Sequence, residues 1–216
     1  MNTTSHDRDV AIPLEGHAAG RLEFRRGASS VVIRADAAMP DFFRAHFEGS
    51  VPEVAVEGDT VVIRYRRLSP AAWVRYALPS GHHAAHLTLN ASLPWQLDVR
   101  GGASRVDADM RGLRLAGLEI QGGASDIRLE LGDAAALVPV HVHGGASQVV
   151  VQRPAGTPVR ASVSSGISMV TMDDQRFGSV GGPAVLHTAG WTGSAGYDVE
   201  VTGGASNLVV TTSAPV

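Results

Sequence analysis

Along most of this chain Val, Leu and Ile alternate with polar residues in short runs, and glycine interrupts the alternation at regular intervals. Leu97 and Val99 precede one Gly-Gly pair, Leu118 and Ile120 the next, then Val140 and Val142, then Val199 and Val201. After the pairs come Val106 and Ala108, Ile127 and Leu129, Val149 and Val151, Leu208 and Val210. A period of two over such runs predicts half-buried strands with one face inward. The longer period of an amphipathic helix is nearly absent. The glycines then mark bends between strands, where φ must be positive or a Cβ would clash.

The bends share a motif. "GGAS" starts at Gly101, Gly122, Gly144 and Gly203, with a looser "SGIS" at Ser165; the first four starts in order, counting Ser165, are 21, 22 and 21 residues apart. Looser copies start at Arg26 and near Glu57 and Ser80, and a copy at Gly181 fills the 38-residue gap before Gly203. A fixed period of this kind is the mark of a solenoid, whose units bury their apolar side only by stacking. The chain therefore reads as all-β: a single-domain β-solenoid, or β-helix, of about eight or nine coils with a ~21-residue repeat. Residues 1–20 read as a partly flexible N-terminal segment, and 21–214 as the solenoid domain.

Carrying the period of two back from Val106 and Ala108 puts Ser104 on the inward face, beside the bend. Ser29, Ser125, Ser147, Ser168 and Ser206 fall in the same column. The expectation is an interior ladder of hydroxyls, each satisfied by the coil above or below, as burial requires. A nucleophile is needed once, whereas this serine recurs in every coil, so no catalytic residue is assigned.

The "V-x-GGAS-x-V-x-L" coil resembles the bacterial toastrack and adhesin-type "head" families, and is similar to the C-terminal domain of LiaF-type cell-wall stress proteins, from about Arg21 to Thr212. The resemblance implies a single-sheeted β-solenoid without known catalytic residues, in an envelope-stress or signalling setting.

Two stretches break the repeat. "ADAAMPDFFRAHFEGSVPEV", residues 35–54, carries Phe42, Phe43 and Phe47. Phe43 and Phe47 are four apart, which predicts a short helical insertion at about 36–52, starting near Pro40 and Asp41. It would cover exposed coil edges or, alternatively, dock a partner. In residues 173–201 the aromatics Phe177, Trp191 and Tyr197 are expected in loops, covering an open edge or, alternatively, forming a binding lip.

Composition narrows the chemistry. The chain has no cysteine, which excludes disulfides, thiolate chemistry and Cys-based zinc sites. A net charge of −3 gives no pull toward nucleic acid. The start "MNTTSHDRDV" lacks a signal-peptide pattern and no run is apolar enough to span a bilayer, so direct membrane insertion is not expected and the cytoplasm is the default location. Histidines cluster as His82, His83 and His86, and as His141 and His143 on one strand face. His141 and His143, with Glu119 one coil earlier, are weak metal candidates; fixed third and fourth ligands are missing, so neither metal nor cofactor is expected. Glu23, Asp98, Glu119, His141, Ser162 and Glu200 form an outward column, and Asp107 and Asp109 are a carboxylate pair weighed against glycoside hydrolysis. The sequence thus favours a non-catalytic binding or scaffold module with a protein partner, open to homo-oligomerisation. Its rivals are a self-assembling cytoskeletal-type rod and a carbohydrate-active β-helix enzyme.

Overall fold

The computed structural model describes residues 3–5, 8–25, 28–65 and 83–213. Among them every regular element is a strand. The glycine bends join strands into pairs: β3 (Gly20–Arg25) with β4 (Ala28–Asp36), β9 (Pro94–Arg100) with β10 (Ala103–Met110), and β11 (Arg114–Gln121) with β12 (Ala124–Leu131). The series continues with β13 (Leu137–His143) and β14 (Ala146–Arg153), β15 (Val159–Val163) and β16 (Ile167–Met172), and β19 (Gly196–Val201) and β20 (Ala205–Thr212). β7 (Thr60–Arg64) and β8 (Ala84–Asn90) occupy the equivalent places of a further pair.

One strand of each pair enters each of two ten-stranded sheets, so the single sheet implied by the resemblance is in fact two. Within each sheet the paired strands run parallel and in register. Leu22, Leu97, Leu118, Val140, Val199 and Ala161 form one inward column of the first sheet. Val31, Val106, Ile127, Val149, Leu208 and Val170 form one of the second. Every one of these side chains is at most 3% exposed. The two inner faces thus close on one apolar core, as period two requires of strands with a single buried face.

The stacking order differs from the chain order. β3 and β4 lie between β7–β8 and β9–β10, and β19 and β20 lie between β13–β14 and β15–β16. This accounts for the 38-residue gap before Gly203: the chain builds the outer pair first and returns to fill the place beside β14. Among the described residues seven strand pairs stack in this way, against the eight or nine coils expected. The copy at Gly181 leads instead into β18 (Ala184–His187), antiparallel to β15. The copy near Glu57 is the turn between β6 (Glu53–Glu57) and β7, also antiparallel. The copy near Ser80 lies outside the described residues.

Antiparallel strands terminate both ends. At one end β1 (Thr3–Ser5) and β6 extend the first sheet, and β2 (Asp9–Pro13) and β5 (Asp41–Glu48) extend the second. At the other, β18 and β17 (Gln175–Phe177) do the same. The helical insertion expected at 36–52 is therefore wrong: its centre is strand β5, paired with β8 and β2. Phe43, Ala45 and Phe47 are buried while Arg44, His46 and Glu48 are exposed. A spacing of four satisfies period two as well as a helix face, and the intervening Ala45 decides for the strand. Phe42 is buried on its own account, stacked between His17 at 3.9 Å and Trp95 at 4.7 Å, ring centre to ring centre. The aromatics of residues 173–201 are also not all in loops: Phe177 lies in β17 and Tyr197 in β19, its hydroxyl donating to the Gly132 carbonyl at 3.0 Å. Burial pushes the Tyr197 pKa up to about 12, with the Asp133 charge adding to it.

At the bends backbone meets backbone. Gly122 has φ +98°, and a Cβ there would stand 2.7 Å from the Gly102 nitrogen. Gly123 has φ +75°, and its Cβ would stand 2.8 Å from the Gly145 oxygen. Gly122→Ala is accordingly expected to cost about 1–3 kcal/mol, whereas Gly112→Ala, in open space at ordinary φ, should lie within ~0.5 kcal/mol of wild type. Denaturant melts of the two variants check this; equal stabilities would mean the bends are looser than the stack requires.

Candidate functional site

The repeated serines were expected inside, and they are not. Ala103, Ala124, Ala146 and Ala205 are buried and in register, while Ser104, Ser125, Ser147, Ser168 and Ser206 are exposed and Ser29 is half-buried. The alternation slips at the start of each strand after a bend. In β10, Ala103 and Val106 point inward with Ser104 and Arg105 both exposed between them. The pairing itself stays in register, Ala103↔Ala124 and Arg105↔Asp126 keeping one offset, so neighbouring strands share the same irregularity. Inward positions at the bend are thus three apart, so a period of two extrapolated across it assigns the serine to the wrong face. The column exists, but on the solvent side.

Ser29, Ser104, Ser125 and Ser147 and the glycine backbones line an open groove of about 740 Å³ running along the bends. Its described lining contains one imidazole, His83, and no carboxylate. A serine nucleophile needs an adjacent base that is itself oriented by a third group. Ser29 accepts from the His83 backbone N–H at 3.5 Å, and the His83 ring accepts from the Ser50 N–H at 3.1 Å. The groove is polar surface without an activating set.

His141 and His143 share the outward face of β13, with ring centres 5.8 Å apart. Each faces a different carboxylate: His143 Nε2 is 3.2 Å from Glu119 Oε1, and His141 Nε2 is 3.8 Å from Glu200 Oε2. His143 Nδ1 lies 3.3 Å from the Thr202 hydroxyl, and Gln121 donates to Glu119 at 2.7 Å. Among the described residues no three His, Asp or Glu side chains converge as ligands of one ion would. His82 lies outside the described residues; His86 stands apart, against Glu48 at 3.3 Å.

The outward column stands as the period of two places it: Glu23, Asp98, Glu119, His141, Glu200 and Ser162 are successive partners across the first sheet. Asp98, however, is 1% exposed. Arg100 covers it, with Nε 2.9 Å from both carboxylate oxygens, and Arg21 stands 3.7 Å away. That hydrogen bond and the Asp98 charge raise the Arg100 pKa. On the second sheet Asp107 pairs with Arg34 at 2.8 Å and Asp109 with Arg111 Nε at 2.9 Å. Hydrogen bonding from Arg111 holds the Asp109 carboxyl below its usual range. A general acid for glycoside cleavage needs the opposite shift. The sequence places Arg100, Arg105 and Arg128 close enough to the outward column to neutralise part of it, and Arg100 does so at Asp98; the Arg34–Asp107 pair joins residues 73 apart in the chain, which spacing does not report.

Phe42, Phe43 and Phe47, offered by the sequence as a partner-docking face, are each 0% exposed. They fill the end of the core instead. Among the described residues no helix is long and apolar enough to cross a membrane.

A family model described as the N-terminal domain of toast_rack, DUF2154, matches residues 1–152. No curated protein matches the sequence. A solved structure of a protein from Clostridium sporogenes ATCC 15579, proposed by its name to act in cell adhesion, is similar in fold, with a TM-score of 0.65 at 14% identity over 99% of this chain and 100% of that one. A proposed adhesin from Bacteroides fragilis NCTC 9343 aligns over 98% and 97% of the two chains at 6% identity, with a TM-score of 0.26.

Two outcomes follow from this geometry. Ser125→Ala should leave stability within ~0.5 kcal/mol of wild type, as at exposed positions generally, whereas Ala124→Leu should cost about 1–3 kcal/mol by overpacking a buried corner; thermal melts of the pair separate the outward serine from an inward one. Calorimetry with zinc or nickel should detect no submicromolar site at His141 and His143, since their donors face separate carboxylates. Stoichiometric tight binding abolished by His141→Ala would contradict that.

Proposed function

We propose that this chain, which belongs to the toast_rack N-terminal domain family, is a non-catalytic binding and scaffold module that presents its outer sheet faces to a protein partner in a bacterial envelope-stress or signalling setting. The observation that carries the reading is the registered outward column on the first sheet, in which Glu23, Glu119, His141 and Glu200 reach solvent while Asp98 lies covered beneath Arg100. Side chains held at one strand spacing on a filled core form a flat, preorganised array. Such an array suits surface recognition, in which little ordering entropy is lost on binding.

Two further features support a module over the rival readings. The antiparallel strands at each end of both sheets interrupt the parallel stack, which favours a finite unit over a rod that grows end to end. The pairing of Asp107 and Asp109 with arginines disfavours a polysaccharide-cleaving acid and base.

The test is capture by chemical cross-linking from a bacterial envelope fraction, with wild type beside a Glu119→Arg, Glu200→Arg variant of equal melting temperature. The expected result is one stoichiometric protein partner, retained by wild type and lost by the variant. Turnover of a polysaccharide by the purified chain, or the absence of any stoichiometric partner, would overturn the reading.

A further inference from the structure

On the second sheet the inward columns do not all end alike. On β10 and β12 the last inward residues are Met110 and Leu131, both buried. The matching place on β14 holds Arg153, which is 3% exposed and points the same way. Its Nη2 donates to both carboxylate oxygens of Asp173, at 2.9 and 2.7 Å. Its Nε and Nη1 are buried and find no hydrogen-bond partner among the described residues. A buried guanidinium needs its charge offset and its donors satisfied. This one has a single carboxylate for its charge and leaves two nitrogens unused.

Asp173 is not on a neighbouring strand. It opens the turn from β16 to β17, and β20 lies between β14 and β16. The ion pair therefore reaches across two strand spacings of about 4.8 Å each, over the end of β20. Backbone bonds tie both of its ends to that strand. The Asp173 N–H donates to the Val210 carbonyl at 2.8 Å, and the Ser213 N–H donates to the Arg153 carbonyl at 2.8 Å. Asp173 has φ +51°, and among the described residues it is the one residue besides glycine with a positive φ. Such a conformation persists only where the surroundings hold it. The Asp173 side chain is 34% exposed and can be rehydrated in place, whereas that of Arg153, at 4%, cannot.

We propose that Arg153 and Asp173 make this end of the second sheet a gate. The buried guanidinium drives it open, and the Asp173 carboxylate holds it shut. Once the carboxylate leaves, an uncompensated cation remains in the core, and the guanidinium must follow it to water. The β16–β17 turn and the end of β20 are bonded to these two residues, so they open together as one local unit. Val170, Thr171 and Met172 then lose their partners on β17, and the sheet gains an unpaired edge. The gate concerns one end of the stack and stands whether or not the partner reading above holds.

Amide hydrogen exchange over residues 167–177 and 205–213, read by mass spectrometry, tests it. Asp173→Asn removes the charge and keeps a side chain that tolerates positive φ. It should speed exchange in both segments by about tenfold or more, with residues 114–131 unchanged. Arg153→Met removes the cation and continues the apolar column of Met110 and Leu131. Alone it should leave both segments at least as protected as in wild type, and added to Asp173→Asn it should return the lost protection. Wild-type exchange in Asp173→Asn would overturn the proposal. So would a loosening by Arg153→Met as large as that by Asp173→Asn, which would make the pair simply adhesive, and so would a double variant as open as Asp173→Asn.

Discussion

Everything in this molecule depends on how closely one bend can approach the next. Where Gly122 lies over Gly102, and Gly123 under Gly145, the gap holds backbone and nothing else. That approach lets the strands on both sides of the bend pair in register at once, so a single corner fixes two sheets. The hydrogen bonds show the same coupling: the Gly101 and Gly102 N–H groups both donate to the Gln121 carbonyl, and the Gly122 and Gly123 N–H groups to the His143 carbonyl. A bend that satisfies its own polar groups on the neighbouring bend needs no side chains to do so.

In-register pairing then sorts the rest. Inward columns are apolar along nearly all of their length, Asn90 and Arg153 at strand ends being buried polar exceptions, and this closes the core. Outward columns are free to vary, and they vary in blocks: acids and arginines in mutual contact over one part of the stack, amides, hydroxyls and valines over another. The constraint at the bends also sets the surroundings of the prominent serines. They sit on the rim of a corner whose floor is glycine and alanine backbone, and the described lining of the groove there holds one imidazole, His83, and no carboxylate.

Much of this is legible in the sequence. The strand pairs, their inward residues and the outward column with its Glu119–His141 neighbours follow from period two and from the spacing of "GGAS". Three things are not legible, each for a physical reason. Alternation puts the serines inside because it is a property of strands, and it fails at the corner, where Ala103 and Val106 both face in. The segment of Phe43 and Phe47 reads as a helix because a spacing of four fits both periods. The order of stacking is hidden because sequence spacing reports the length of a unit, not which neighbour it joins. Gly203 follows Ser165 in the chain, yet Ala205 pairs with both Ala146 and Ile167.

That intercalation is the feature most specific to this fold, and the absence of cysteine makes it directly testable by paired cysteine substitution and oxidation. Gln148 and Asn207 are partners on neighbouring strands, and Asn207 is in turn the partner of Met169. Neighbouring strands stand about 4.8 Å apart, within the range a disulfide spans, and strands two apart stand at roughly twice that, beyond it. A chain carrying Gln148→Cys with Asn207→Cys should form an intramolecular disulfide readily, and one carrying Gln148→Cys with Met169→Cys should not. Efficient bridging of the second pair and not the first would mean that the strands stack in chain order, contradicting the architecture described.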